Sequence, residues 1–334
     1  MRETKQQAAC LKPLIGLSLV LAVISGHSLL AQSLDIPSKK WGLSFGNSKE
    51  WTGLRFNFRD SRVRRVDGVN FTLWMPRKDN KDAVISGLSL GVIPGGGHVR
   101  GIQIGLLGVS AEANLAGLNI GGLGVGAGDN VIGLNIALAG IGAGEDLAGF
   151  SFGGLGVGAG ENVVGVCIGG LGAGAGGDLK GLAFGGLGVG AGENVTGLAI
   201  GGLGVGAGEN FTGVAIGGLG AGAGERFTGM AICGLAAGAP ELRGLFLCGV
   251  GVGGLDLKGV FAGVAMIRVE KGGRLNGVAV SSFNHIRGTL SGLAIGIVNY
   301  AWKLDKGLQI GVVNIVRDNP KGLKVLPVFN ANFD

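Results

Sequence analysis

Histidine, serine and cysteine are the side chains from which a nucleophilic or metal-assisted site would be built, and here they are sparse. After residue 31 only His98 and His285 remain as histidines. Ser281 and Ser282 lie close to His285, the beginning of a serine–histidine pair. No strained nucleophile turn surrounds them and no acid is placed to orient the imidazole, so a hydrolase reading fails. Neither histidine stands at a spacing that suggests a metal centre. The sequence points away from an enzyme.

Glycine and acidic residues offer two further chemistries. Gly124, Gly126 and Gly128 have the spacing of a phosphate loop, but the pattern recurs along the chain and no Lys-Ser/Thr follows it. Gly121-Gly122-Leu123-Gly124 begins like the nonapeptide of a calcium β-roll, yet Gly126 stands where the ligand Asp belongs. Carboxylates recur elsewhere, at Asp129, Glu145, Glu161, Glu193, Glu209 and Glu225, beside Asn130, Asp146, Asn162, Asp178, Asn194 and Asn210. Stacked in register, these would form a rail that attracts divalent cations weakly through shared oxygens. No other cofactor is expected.

What must position such residues is a repeat. Gly supplies 74 of 334 residues and Pro only 7, without the triplet period of collagen. Hydrophobic residues make up 46% and charged residues 15%, which excludes a disordered chain. Glycine is therefore placed by a structural rule. Eight consecutive 16-residue units start at Gly101, Gly117, Gly133, Gly149, Gly165, Gly181, Gly197 and Gly213. Units of 15 follow from Gly229 and Gly244, a longer one from Gly259, and units of 15 again from Gly277, Gly292 and Gly307.

Within the Gly197 unit, Leu198 and Ile200 alternate with small residues, the period of a strand. Leu203, Val205 and Ala207 alternate again after Gly201-Gly202, with their parity switched. A corner at that glycine pair would keep all five on one side. Gly208-Glu209-Asn210 is a turn sequence, after which Phe211 returns inward. Each unit thus reads as two short strands and two corners, one coil of a flattened parallel β-solenoid. Gly204 and Gly206 leave the outer side of the second strand bare, suited to close approach of another sheet, a second copy or an envelope surface. In this register Cys233 and Cys248 stack one strand spacing apart.

The alternative is an outer-membrane antiparallel β-barrel, serving as a pore or anchor. Leu293 to Trp302 and Leu308 to Arg317 have spanning length for tilted strands. Aromatics are only 6%, with a single Tyr, where barrels carry aromatic girdles.

The boundaries follow. Residues 1–31 read as a signal peptide, with Arg2, Lys5 and Lys12 before an apolar stretch from Leu14 to Ala31; a retained anchor is the other reading. Then come an irregular lead-in at 32–52, degenerate repeats at 53–100, strict repeats at 101–228, variant repeats at 229–321 and a capping segment at 322–334. The formal charge of +6 falls to +4 without the first 31 residues, where three cations face Glu3. The remaining cations form no stripe along the repeats, so nucleic acid is not an expected partner.

The units GLAIGIVNYA and GLQIGVVNIV, followed by NPKGLKVLPVFNANF, resemble the uncharacterised surface-repeat proteins of diderm bacteria, with tandem Gly-Leu-x-Ile-Gly-x-x-Asn β units. The central units depart from that motif, with glycine and alanine in place of the Asn. The resemblance implies an exported protein at the cell surface or outer membrane, or in the periplasm, and no known chemistry. Expected partners are an envelope surface, a membrane or another copy.

Overall fold

The computed structural model describes residues 33–333, and the signal-peptide segment at 1–31 lies outside them. The fold is all-β, a parallel β-solenoid of about 17 coils. Each strand is hydrogen-bonded to its equivalents one repeat before and one after. The strand Val195–Gly201 lies between Leu179–Gly185 and the 211–217 segment, and the short strand Gly204–Ala207 lies between Gly188–Ala191 and Gly220–Ala223.

The corners are laddered as well. Gly202 N–H donates to the Gly185 carbonyl at 3.0 Å, Leu203 to Leu187 at 2.6 Å, and Glu209 to Glu193 at 2.8 Å. Backbone groups that a loop would leave to water are thus satisfied coil to coil. The glycine that opens each unit has a specific task. Gly197 and Gly213 adopt φ of +128° and +134°. A Cβ on either would fall on the carbonyl oxygen of the glycine one coil earlier, so no other residue fits.

The inward set differs from the expected one. Leu203 is half exposed, and Leu198 and Ile200 also look outward. The interior takes Val195, Ala199, Val205 and Ala207, with Gly201 also buried. The long strand therefore turns its small residues inward and its large ones outward. Two facing strands leave a thin interior, and most coils fill it with one large residue of the long strand beside small ones. Where Phe211 and Phe227 occupy that place, the inward residues four further along the strand are Ala215 and Ala231; where Phe246 and Phe261 take that second column, Leu242 and Leu257 replace the earlier phenylalanines. The four rings form a file with centroids 4.4, 5.0 and 5.5 Å apart.

The third place of each unit forms an inner column that changes character along the axis. It runs from Ser44 through Arg55, Asn70, Ser89, Gln103, Asn119, Asn135 and Ser151 to Cys167, and becomes alanine at Ala183. All of these side chains are buried.

Both ends are closed by antiparallel strands. The 32–52 stretch, expected to be irregular, folds Leu34–Pro37 against Trp41–Phe45, which then starts the parallel stack against 52–56. Val325–Asn332 runs antiparallel to Gly307–Val316 and covers the other end, as a capping segment should. The antiparallel barrel is not the fold: the segments proposed as hairpin strands, 293–302 and 308–317, lie parallel in successive coils.

Candidate functional site

Around one central coil, polar side chains gather at a single edge. In the Gly197 coil, Leu198, Ile200, Gly202, Leu203, Gly204 and Gly206 face outward without one polar side chain, and Glu209, Asn210 and Thr212 make the polar edge. The structure brings the expected carboxylates into register there. Glu145 N–H donates to the Asp129 carbonyl at 2.9 Å, Glu161 to Glu145 at 2.8 Å, and Glu225 to Glu209 at 2.8 Å, with Gly177 interrupting the acidic row.

The neighbouring amides are already engaged. Asn194 Oδ1 accepts from Asn210 Nδ2 at 3.0 Å, Asp178 Oδ1 accepts from Asn194 Nδ2 at 2.9 Å, and Asp146 Oδ1 accepts from Asn162 Nδ2 at 2.9 Å. Lys180, followed by the Asn194 amide, holds the Asp178 carboxyl below its ordinary range. The second row of residues is therefore a structural ladder. Among the described residues no three His, Cys, Asp or Glu side chains converge as metal ligands would.

The cysteines stand where the repeat places them. Cys233 and Cys248 are register partners, both buried and both free thiols. A thiol–thiol hydrogen bond pushes Cys248 up and Cys233 down. Cys167 is alone in the inner column, and burial pushes its thiol up to about 11.

Serine and histidine do not assemble. Ser281 Oγ is 2.9 Å from Asn284 Oδ1, and Ser282 Oγ donates to the Val264 carbonyl at 2.6 Å. His285 stacks on Phe283 at 5.2 Å and abuts Tyr300; burial, then Arg287 and Arg268, lower its pKa. His98 Nδ1 sits 3.0 Å from the Asn114 amide.

Sequence reasoning missed two features. One is the asparagine file Asn284, Asn299 and Asn314, whose amides donate to the next side-chain oxygen at 2.7 and 2.8 Å and also reach the Ile295 and Ile310 carbonyls. Asn299 and Asn314 are the Asn of the Gly-Leu-x-Ile-Gly-x-x-Asn pattern, so its spacing was the available signal. The other is the apolar exterior. On the long strands, Ile102, Ile104, Leu134, Phe150, Phe152, Leu182, Ile216, Ile232 and Leu247 are each 37–43% exposed. A file of leucines at the corner, including Leu171, Leu187, Leu203 and Leu219, is exposed by half. A shallow, apolar groove of about 560 Å³ lies on this exterior beside Leu247, Cys248, Val264 and Val280.

Compared with known proteins, the chain matches no family, no curated protein and no solved structure.

Proposed function

We propose that this chain is a non-catalytic, exported structural or interaction protein of the cell envelope or surface. The observation that carries the reading is the repetition of one exterior along the solenoid: an apolar face, a leucine corner, a bare glycine face and a charged edge, coil after coil. Extended flat surfaces of this kind suit contact with another extended surface, as other solenoids do. The side chains that would begin a catalytic pair are instead committed to the fold, since both serine hydroxyls are engaged and His285 is stacked between aromatic rings. Export rests on the basic and apolar residues before Gln32.

Cell fractionation with N-terminal sequencing tests the proposal. A mature chain in the envelope fraction, starting near Gln32, is expected. A chain recovered solely from the cytoplasm and still beginning at Met1 overturns it.

A further inference from the structure

The long-strand exterior is continuous over the ten coils that open at Gly101 through Gly244, and each of these coils carries two large apolar side chains on it. At a strand spacing of ~4.8 Å and a rise of ~3.3 Å per residue across the three residues from Val214 to Ile216, the apolar face measures roughly 48 by 10 Å, about 480 Å². Contiguous apolar patches above a few hundred Å² are uncommon on a monomer. Two such faces meeting would bury about 960 Å², close to the ~1,000 Å² expected of a specific interface.

We infer that this face is a self-association surface and that its occupant is the same face of a second copy. Three observations select that occupant. The paired area is close to what a specific dimer interface needs. The rows of side chains repeat at the solenoid's own spacing, and an identical copy presents rows of the same spacing. The flank of the face is acidic: residues 101–258 hold eleven carboxylates against Lys180, Arg226, Arg243 and Lys258. An anionic lipid surface would be repelled by that flank. The ends are basic, with twelve Lys and Arg against six Asp and Glu over 32–100, and nine against four over 259–334.

The charged edge also selects an orientation. A two-fold axis perpendicular to the solenoid would bring the two acidic edges to the same side. An axis parallel to the solenoid places each acidic edge over the partner's leucine corner, which separates the like charges. The copies are therefore parallel, and each coil faces its own equivalent. This inference does not depend on where the protein resides.

Light scattering on the mature chain tests it, together with two pairs of substitutions at partly exposed positions, Leu134→Lys with Phe150→Lys and Leu134→Glu with Phe150→Glu. The parent is expected at twice the chain mass. Each doubly substituted chain should be monomeric with an unchanged strand spectrum and melt. An equimolar mixture of the two should return to the dimer mass, because in a parallel dimer lysine meets glutamate coil on coil. A parent that stays monomeric at all concentrations overturns the proposal, as does a dimer that ignores the substitutions. Failure of the mixture to dimerise overturns the parallel orientation. A monomer that sediments with phosphatidylethanolamine–phosphatidylglycerol vesicles, and loses this with the substitutions, assigns the face to lipid instead.

Discussion

The Arg55 guanidinium lies 2.7 Å from Asp60 Oδ1 with both side chains buried, inside a column that becomes alanine eight coils further on. Arg55 also donates to Asn70 Oδ1 at 2.9 Å and to Ser48 Oγ at 3.2 Å, so its charge is surrounded by acceptors. Removing one partner strands the other in a dry interior. Asp60→Ala should cost about 3–5 kcal/mol. The loss should concentrate at the amino-terminal end, because coils communicate only with their neighbours. Hydrogen exchange should show opening over residues 41–74 before the Gly197 coil is affected. A uniform loss of protection along the chain would contradict this.

Asn299 sits between Asn284 and Asn314 and also donates to the Ile310 carbonyl. Asn299→Ala leaves buried amide and carbonyl groups on both neighbours without their partner, at about 1–3 kcal/mol each. Asn194→Ala breaks the equivalent ladder at the half-exposed edge, where water substitutes. A thermal melt should rank Asn299→Ala well below Asn194→Ala. Equal melting temperatures would mean that the inner file carries no special stability.

Much of this fold was legible from the spacing of glycine. The units from Gly101 to Gly213, their parallel stacking, the Glu209 corner and the inward Phe211 all follow from period and turn chemistry. The facing of the long strand did not. Leu198 and Ile200 suggested an interior because burial of large apolar residues is the usual rule. Period two fixes the facing: with Val195 and Ala199 inside, Leu198 and Ile200 must point outward. The polar column from Ser44 to Ser151 was hidden for the same reason. It occupies alternate places of strands whose outward residues carry the hydrophobic signal. Among the candidate site residues, the carboxylates and cysteines were correctly stacked by the repeat alone. The prior engagement of Asn194 and Asn210 by one another required coordinates.

The residues that follow the Gly201-Gly202 corner give a direct check on facing. Val205 is 5% exposed and Leu203 is 50% exposed, two residues apart. Val205→Asp buries an unpaired carboxylate and should unfold the surrounding coils, a cost of several kcal/mol. Leu203→Asp should shift the melt by little, since its side chain already meets solvent. If Leu203→Asp proves the more damaging, the assigned facing of the corner is wrong.

Cys167 supplies a pH dependence with a fixed sign. Its folded thiol is pushed up to about 11 from an ordinary 9.0, so the native chain holds the proton over a range in which the unfolded chain releases it. The stability it contributes is present below about pH 9 and is lost as pH rises toward 11. Cys167→Ala should flatten this part of the stability curve relative to the parent. Cys233 and Cys248, one strand apart, should be joined by a short bifunctional thiol reagent once the coil breathes. Failure to join them under conditions in which each thiol reacts singly with a reagent of the same size would refute their register.

The acidic row provides the last test. Glu193, Glu209 and Glu225 are exposed, with Glu209 between the other two in register, and unit charges ~5 Å apart repel by roughly 0.8 kcal/mol in water. Because Asn194 Oδ1 already accepts from Asn210, the carboxylates and the Asn210 oxygen are left to hold a cation. Such a row gathers counterions diffusely and closes no cage, since calcium takes six to eight oxygens. Replacing the three glutamates by glutamine should therefore raise the melting temperature at low salt, and the gain should fade as sodium chloride is added. Calcium and sodium at matched ionic strength should stabilise the parent equally. A larger effect of millimolar calcium on the parent, abolished in the triple variant, would instead establish the row as a divalent-cation rail.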